Sequence, residues 1–243
     1  MQVIKANWPL GAEYIAFTTT RLEGESDGDF ASLNTGFHVG DDPEKVAANR
    51  AKVLSYAAAE YSQWLDQVHG THCVSATQAQ DVTADACWTD RANLACVVMT
   101  ADCLPVVFAC GERVAAAHAG WRGLLNGILE SSLAHLDPAL TSVWLGPAIG
   151  PLAFEVGPEV REQFIDKSAQ FAPAFKNSPN EGKWLADIYA LARLTLVQSG
   201  VAAASIYGGD LCTYTDSERF FSYRRGTPTG RMATVICRRK SHC

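Results

Sequence analysis

The stretch from Met99 to Gly123, MTADCLPVVFACGERVAAAHAGWRG, constrains the fold of this chain more than any other segment. It contains two apolar runs, VVFAC and VAAAH, of the kind that forms buried strands. The segment GER between them has room only for a tight turn, so the runs predict two neighbouring strands. Cys103 precedes the first run, and His118 ends the second directly before AGWRG. A thiol and an imidazole at the edges of an apolar core indicate a candidate functional site.

The composition is typical of a globular protein and narrows the classes of partner. The 243 residues are 48% hydrophobic and 19% charged, and the formal net charge is −6. Nucleic-acid-binding proteins usually present a basic surface, so this acidic balance argues against nucleic acid. The most apolar window, LACVVMTADCLPVVFAC, has Asp102 and Pro105 near its centre, which argues against a membrane helix and predicts core strands.

The cysteines and the amino-terminal segment indicate the cellular compartment of the protein. MQVIKANWPLGAEY contains no apolar run typical of a signal peptide, so we expect a cytoplasmic protein. Its eight cysteines would then be reduced thiols. No pair has the Cys-x-x-Cys spacing, which argues against a zinc finger or a disulfide framework. The final segment CRRKSHC is expected to be a frayed tail.

Strand-like and helix-like segments alternate along the chain without a linker or a low-complexity break. The predicted strands are AEYIAFTTT, LACVVMT, PVVFA, RVAAAH, TSVWLG, ASIYGGD, FFSYRRG and RMATVICR. The predicted helices are EKVAANRAKVLSYAAA, GLLNGILESSLAHL, GPEVREQFIDKSAQF and LADIYALARLTLVQSG. QWLDQVHGTHCVSAT predicts a hairpin that turns at His69 and Gly70. Because several adjacent strands have short connections, the pattern favours one mixed or antiparallel α+β domain over residues 1–243.

Three side chains at strand ends can form a metal-binding or a catalytic site. His69, like His118, stands directly before a glycine-containing turn, and Cys103 lies between two strands. If the three strand ends meet at one edge, two imidazoles and a thiolate would suit Zn²⁺ with a fourth position open. The same three groups would also suit a thiolate nucleophile with a histidine base. The spacing does not separate these two interpretations.

Several arginines follow strand-like runs and are candidates for binding an anion. They are Arg21, Arg122, Arg224 and Arg225. The planar guanidinium suits two-pronged contact with phosphate or carboxylate, so an anionic co-substrate is the functional interpretation. His38, in the loop TGFHVGDD, is a further candidate.

Several long motifs in order resemble the YfiH, or laccase-domain, family, also called multicopper polyphenol oxidase domain and peptidoglycan editing factor. The motifs are TTTRLEG, SLNTGFHVGDDPEKVAANR, WLDQVHG, VMTADCLPVVF, AAAHAGWRGLLNGIL, WLGPAIGPLAFEVG and FFSYRRGTPTGRMA. The resemblance covers nearly the whole chain. It implies a single layered α/β/β/α domain of the α+β class with mixed sheets. It also implies one zinc bound by His69, Cys103 and His118.

The resemblance further implies a purine nucleoside phosphorylase. Such an enzyme would convert adenosine, inosine or S-methyl-5′-thioadenosine and phosphate to free base and the sugar 1-phosphate, with adenosine deaminase activity beside it. Cys103, His118 and Asp102 would then be catalytic, Asp102 as a proton carrier. The residues assigned to substrate and phosphate are Arg21, Asn34, His38, Arg122 and Arg225.

Other functions stay open at this stage. Cys103 attacking an amide or ester, with His118 as base, would make a hydrolase that edits peptidoglycan precursors. A polyphenol oxidase with a single copper at the same ligands is another alternative, although six histidines argue against a four-copper assembly. A non-catalytic binding module stabilised by zinc is the third alternative.

Overall fold

The computed structural model of the chain describes residues 1–78 and 82–240. The strands are β1 (Val3–Lys5), β2 (Tyr14–Thr19), β3 (Tyr61–Gln63), β4 (Cys73–Ser75), β5 (Ala86–Thr89), β6 (Leu94–Thr100), β7 (Leu104–Cys110), β8 (Arg113–Ala119), β9 (Ser142–Leu145), β10 (Glu155–Val156), β11 (Phe175–Asn177), β12 (Trp184–Ala186), β13 (Ile206–Gly208) and β14 (Met232–Arg238). The α-helices are α1 (Pro43–Ala57), α2 (Trp121–Asn126), α3 (Ile128–Leu133), α4 (Pro158–Lys167) and α5 (Ile188–Gln198). No helix within these ranges is both long and apolar enough to cross a bilayer.

The strands form two large mixed sheets and a small one. The first has the order β1-β2-β14-β6-β3, and the second has the order β13-β9-β7-β8-β5-β4. Most neighbours are antiparallel, but β3 runs parallel to β6, β4 to β5, and β13 to β9. A three-stranded sheet, β10-β12-β11, lies outside them. The predicted mixed-sheet α+β class is therefore confirmed.

The layers follow the order helix, sheet, sheet, helix. Helix α1 packs Val53 and Ala57 on the outer face of the five-stranded sheet. Side chains such as Val98 and Val107 meet between the two large sheets. Helices α2 to α5 cover the other face of the six-stranded sheet, where Phe108 is fully buried. Each such side chain stabilises the fold by about 1.5–3 kcal/mol, so the strand ends project from a rigid core.

The central strand pair and the first long helix agree with the sequence prediction. β7 and β8 pair in antiparallel register from Leu104 opposite Ala119 to Cys110 opposite Arg113. Helix α1 begins after Asp42, whose carboxylate accepts a hydrogen bond from the Glu44 N–H at 2.9 Å.

Three predicted elements are wrong in detail. QWLDQVHGTHCVSAT does not form a hairpin, because β3 belongs to the five-stranded sheet and β4 to the six-stranded one. The predicted helix GLLNGILESSLAHL is divided at Gly127, whose φ of 107° suits glycine and ends α2. FFSYRRG forms no strand, because Phe220 and Phe221 turn inward into a small core cluster. The predicted tail extends into residues 241–243, which lie outside the described ranges.

The loop that precedes α1 is fixed by one buried amide. The Asn49 side chain donates hydrogen bonds to the Asn34 carbonyl at 2.8 Å and to Ser26 Oγ at 3.0 Å. Its Oδ1 accepts from the Glu25 N–H at 2.8 Å. Asn49 is fully buried, so its removal would leave these backbone groups without a partner.

We predict that Asn49→Ala lowers the free energy of unfolding by about 2–3 kcal/mol, because buried polar groups lose their partners. Urea unfolding followed by circular dichroism measures the change. Asn126→Ala is the matched control: Asn126 is exposed at the end of α2, and we expect a change within about 0.5 kcal/mol. Equal stability of the two variants would contradict the role given to Asn49.

Candidate active site

The structure brings His69, Cys103 and His118 together. His69 lies in the segment between β3 and β4, Cys103 between β6 and β7, and His118 near the end of β8. His69 Nε2 is 3.8 Å from Cys103 Sγ, and the two imidazole rings are 4.7 Å apart at 77°. One ligand atom from each residue lies within 4.8 Å of the other two. Nitrogen and sulfur ligands of one tetrahedral zinc are about 3.5 Å apart, so this donor set fits a metal ion.

Asp85 fixes the turn that presents His69. Its carboxylate accepts hydrogen bonds from three consecutive backbone N–H groups, those of Val68 at 3.2 Å, His69 at 2.9 Å and Gly70 at 2.6 Å. His69 has a φ of 60°, a conformation that a residue with a side chain rarely adopts. Asp85 is fully buried in the segment before β5, and its hydrogen bonds stabilise this strained turn.

The same carboxylate orients His118. His118 Nδ1 lies 2.8 Å from Asp85 Oδ1, and Nδ1 must carry a proton because a carboxylate only accepts. Nε2 is then left for a metal ion or for Cys103. Burial acts to raise the pKa of Asp85, but the hydrogen bonds from His118 and from the Gly70 N–H outweigh it, and the pKa lies below its usual value. Asp85 is therefore an anion that joins two of the three ligands.

The electrostatics favour the thiolate form of Cys103. Burial acts to raise the pKa of the thiol, but the charge of His118 and hydrogen bonds from both histidines lower it to about 6. Burial acts to lower the pKa of His118, but the Cys103 thiolate and Asp85 raise it to about 9. Near neutral pH a thiolate therefore faces an imidazolium, and a metal ion would replace the imidazolium proton.

Two backbone features keep Cys103 in place. Asp102 has a φ of 92°, and its carboxylate accepts hydrogen bonds from Thr213 Oγ1 at 2.6 Å, Ser222 Oγ at 2.9 Å and the Arg224 N–H at 2.7 Å. With these donors, Asp102 braces the bend before β7, and its role as a proton carrier stays a prediction. At Gly120, a Cβ atom would lie 3.0 Å from Cys103 Sγ, so only glycine leaves this approach unhindered.

A cavity of about 400 Å³ opens above the three ligands. Its lining includes the apolar side chains of Trp121, Ile149, Phe154 and Ile188. Arg224 and Arg231 also line it, and the Arg224 guanidinium carbon is 5.9 Å from the centroid of the Phe154 ring. Apolar walls with a few convergent polar groups are typical of small-molecule sites.

The residues predicted to bind an anion are not all at this cavity. His38 lines it, whereas Arg122 is exposed outside the lining and lies over the Trp121 ring at 4.3 Å. Arg21 and Arg225 line a separate surface pocket. Their guanidinium groups donate to backbone carbonyls: Arg21 to those of residues 31 and 217, and Arg225 to those of residues 213, 214 and 220.

Asn34 lies behind the cavity wall and does not line it. It is fully buried, and its Oδ1 accepts from the backbone N–H groups of Gly36 and Arg231, both at 2.9 Å. Its Nδ2 donates to Asp41 Oδ2 at 2.8 Å. Asn34 therefore positions Arg231, which sequence reasoning missed.

Asp85 was not predicted either, because an aspartate before an apolar run is typical of an ordinary turn. Arg231 lies within the motif FFSYRRGTPTGRMA, but the motif alone does not show that its side chain lines the cavity. Within residues 1–78 and 82–240, His69, Cys103 and His118 are the only group of three or more potential ligands close enough to hold a metal ion.

Comparison with known proteins agrees with the fold. The family model described as multi-copper polyphenol oxidoreductase laccase matches residues 15–239. A crystal structure of a Neisseria meningitidis protein has 44% sequence identity and a TM-score of 0.94, and the alignment covers 99% of this chain and 100% of that one. The chain therefore belongs to this laccase-like family.

Two curated relatives in the family have more specific names. A purine nucleoside phosphorylase from Pseudomonas aeruginosa is 49% identical over 236 residues, 95% of this chain and 96% of that protein. The purine nucleoside phosphorylase YfiH of Escherichia coli strain K12 is 46% identical over an alignment 244 residues long, which covers 97% of this chain and 98% of that protein. The resemblance seen in the sequence motifs is confirmed.

We predict that Asp85→Asn weakens Zn²⁺ binding about 10- to 100-fold, because the amide no longer orients both histidines. Competition with a chromophoric chelator measures the affinity. Asp216→Asn is the control that removes a charge elsewhere: the Asp216 carboxylate accepts from Arg219 Nε at 2.6 Å and does not line the cavity. A folded Asp85→Asn variant with wild-type zinc affinity would contradict the argument.

Proposed function

We propose that this chain is a zinc-dependent purine nucleoside phosphorylase. The single observation that carries the proposal is the cavity in which the His69, Cys103 and His118 cluster lies beside both apolar side chains and arginine guanidinium groups. A purine is flat and largely apolar, whereas phosphate is an anion, so a cavity with both surfaces suits the pair. The names of the relatives support the same reaction.

The reaction assigns a task to each kind of lining residue. Phe154 and Ile149 would hold the base, and the arginines of the lining would hold phosphate near the sugar C1′. A phosphate oxygen forms the bond to C1′ while the C1′–N9 bond breaks, and its electron pair leaves with the purine. A proton must reach the departing base, and Asp102 is the candidate carrier from the sequence. The substrates proposed are adenosine, inosine and S-methyl-5′-thioadenosine.

The ligand set also suits deamination of adenosine as a second activity. Bound zinc supplies Lewis acidity and lowers the pKa of a water molecule, which is what hydrolysis at the purine C6 needs. Three protein ligands leave one position open, as in other catalytic zinc sites. The reduced thiol that this site requires is in keeping with a cytoplasmic enzyme.

The first functional prediction concerns phosphate. Purified protein with adenosine or inosine should release free base and ribose 1-phosphate only when phosphate is supplied, since phosphate is the nucleophile. Chromatography of the products with and without phosphate measures this. Deamination of adenosine to inosine should proceed in both conditions, because water is its co-reactant. Base release that is independent of phosphate would indicate a hydrolase instead.

The second functional prediction separates a metal site from a thiol nucleophile. His69→Ala, Cys103→Ala and His118→Ala should each be nearly inactive with sharply reduced zinc, because each loses one of three ligands. All three should remain folded, since the chain has a large core. His118→Ala should be the least stable of them, because buried Asp85 loses one of its four donors. Activity assays, elemental analysis and circular dichroism test these statements together.

Cys110→Ala is the control for that series, because Cys110 is a partly exposed thiol at the far end of β7. It should keep both zinc and activity. The peptidoglycan hydrolase alternative predicts instead that His69→Ala stays active without metal and that substrate forms an acyl adduct at Cys103. Stoichiometric copper with oxidation of phenols would favour the oxidase alternative.

A further inference from the structure

Tyr223 is a large aromatic residue that lines the cavity and is also exposed to solvent. It belongs to the lining above the three ligands, and it is 62% exposed. None of the other exposed large hydrophobic residues within 1–78 and 82–240 belongs to that lining. A residue that is both exposed and part of the lining lies where the cavity opens to solvent. Tyr223 therefore stands at the mouth of the cavity.

The backbone that carries Tyr223 is fixed on both sides. Phe221, two residues earlier, is fully buried. Ser222 Oγ donates a hydrogen bond to the Asp102 carboxylate at 2.9 Å, and the Arg224 N–H donates to the same carboxylate at 2.7 Å. That carboxylate also braces the bend that holds the thiol ligand. The aromatic ring is thus carried by a rigid backbone, so little conformational entropy is lost when it contacts a ligand.

The other two large aromatic rings of the lining already have partners. The guanidinium carbon of Arg122 is 4.3 Å from the centroid of the Trp121 ring, and that of Arg224 is 5.9 Å from the centroid of the Phe154 ring. Among the described residues, Tyr223 has no ring or guanidinium partner, and its hydroxyl makes no hydrogen bond to them. The ring is therefore available to a ligand.

The phenol group also lies near a second residue of the lining. Burial lowers the pKa of Arg231, and the negatively ionising groups of Cys103, Tyr223 and Asp102 oppose this shift. Charges at a protein surface act over roughly 10 Å, so the Tyr223 phenol is close to the Arg231 guanidinium. Because Arg231 lines the cavity as well, this contact agrees with a Tyr223 side chain that faces the cavity.

The chemistry of an aromatic ring limits what Tyr223 can contact. The face of the ring carries partial negative charge, which does not suit phosphate. The same face is flat and apolar, and it stacks well on the flat ring of a nucleobase. Of the two proposed substrates, the nucleoside is therefore the one that suits this residue.

We propose that the Tyr223 ring stacks on the purine base of the bound nucleoside at the mouth of the cavity. The proposal rests on the proposed function and adds a base contact to those of Phe154 and Ile149. Tyr223 lies within the motif FFSYRRGTPTGRMA, but neither the motif nor the names of the relatives assign a role to it.

Tyr223→Ala and Tyr223→Phe test the stacking. We expect Tyr223→Ala to raise the KM for adenosine at least about fivefold, because alanine cannot stack on the base. The KM of Tyr223→Phe should stay within about twofold of wild type, since the ring remains and the hydroxyl has no protein partner. The KM for phosphate and the zinc content should not change in either variant, because neither phosphate nor metal contacts the ring.

Tyr61→Ala is the matched control. Tyr61 is a 48% exposed tyrosine on β3 that is not part of the cavity lining, so its removal should leave the adenosine KM unchanged. The Tm of Tyr223→Ala should lie within about 2 °C of wild type, because an exposed side chain contributes little to stability. A higher adenosine KM in Tyr223→Ala would then not arise from damage to the fold.

Binding of adenine without turnover separates this proposal from the proposed function. In isothermal titration calorimetry, wild type, Tyr223→Phe and Tyr61→Ala should bind adenine alike, and Tyr223→Ala at least about fivefold more weakly. If adenine binds in this pattern but no nucleoside is cleaved, the stacking stands and the phosphorylase proposal fails. If wild type cleaves nucleosides with phosphate but Tyr223→Ala binds adenine as tightly as wild type, the stacking is wrong. Equal weakening in Tyr223→Phe and Tyr223→Ala, or no binding of adenine by wild type, would also overturn it.

Discussion

The buried carboxylate of Asp85 is the interaction on which the candidate site depends. It accepts three backbone N–H groups at residues 68–70 and the Nδ1–H of His118. One fully buried anion thereby holds His69, on a loop, and His118, on a strand, in fixed positions relative to each other. Burying an unpaired carboxylate would be very costly, so its four donors stabilise it and in turn become rigid. The two histidines are rigid because both are held by hydrogen bonds to the same buried carboxylate, that of Asp85.

The two large sheets explain why a cavity forms beside these ligands. β6 ends at Thr100 and β14 begins at Met232, so the chain leaves the five-stranded sheet towards Asp102 and enters it again from Arg231. Cys103 directly precedes β7, which belongs to the second sheet. The candidate ligand Cys103, the bracing carboxylate of Asp102 and the cavity-lining Arg231 therefore lie at this end of the sheet. The packed core on either side limits movement of these groups.

The sequence predicted the parts of the structure that depend on local patterns. Cys103 and His118 were identified because they stand at the edges of apolar runs, and His69 because, like His118, it stands directly before a glycine-containing turn. The family motifs then favoured zinc binding over a thiolate nucleophile as the role of these three residues. Asp85 and Arg231 were not identified, because their roles depend on contacts between segments that are distant in the chain. The predicted hairpin around His69 failed for the same reason: its two strand-like runs join different sheets, and local propensity does not specify a partner strand.

We propose that His69, Cys103 and His118 bind one zinc ion through two imidazoles and one thiolate. X-ray absorption at the zinc K edge of the purified protein measures this directly. We expect one sulfur at about 2.3 Å, two imidazole nitrogens at about 2.0 Å and a light atom in the remaining position. The sulfur contribution should disappear in Cys103→Ser. A spectrum with only nitrogen and oxygen ligands, or protein purified gently without a stoichiometric metal, would contradict the claim.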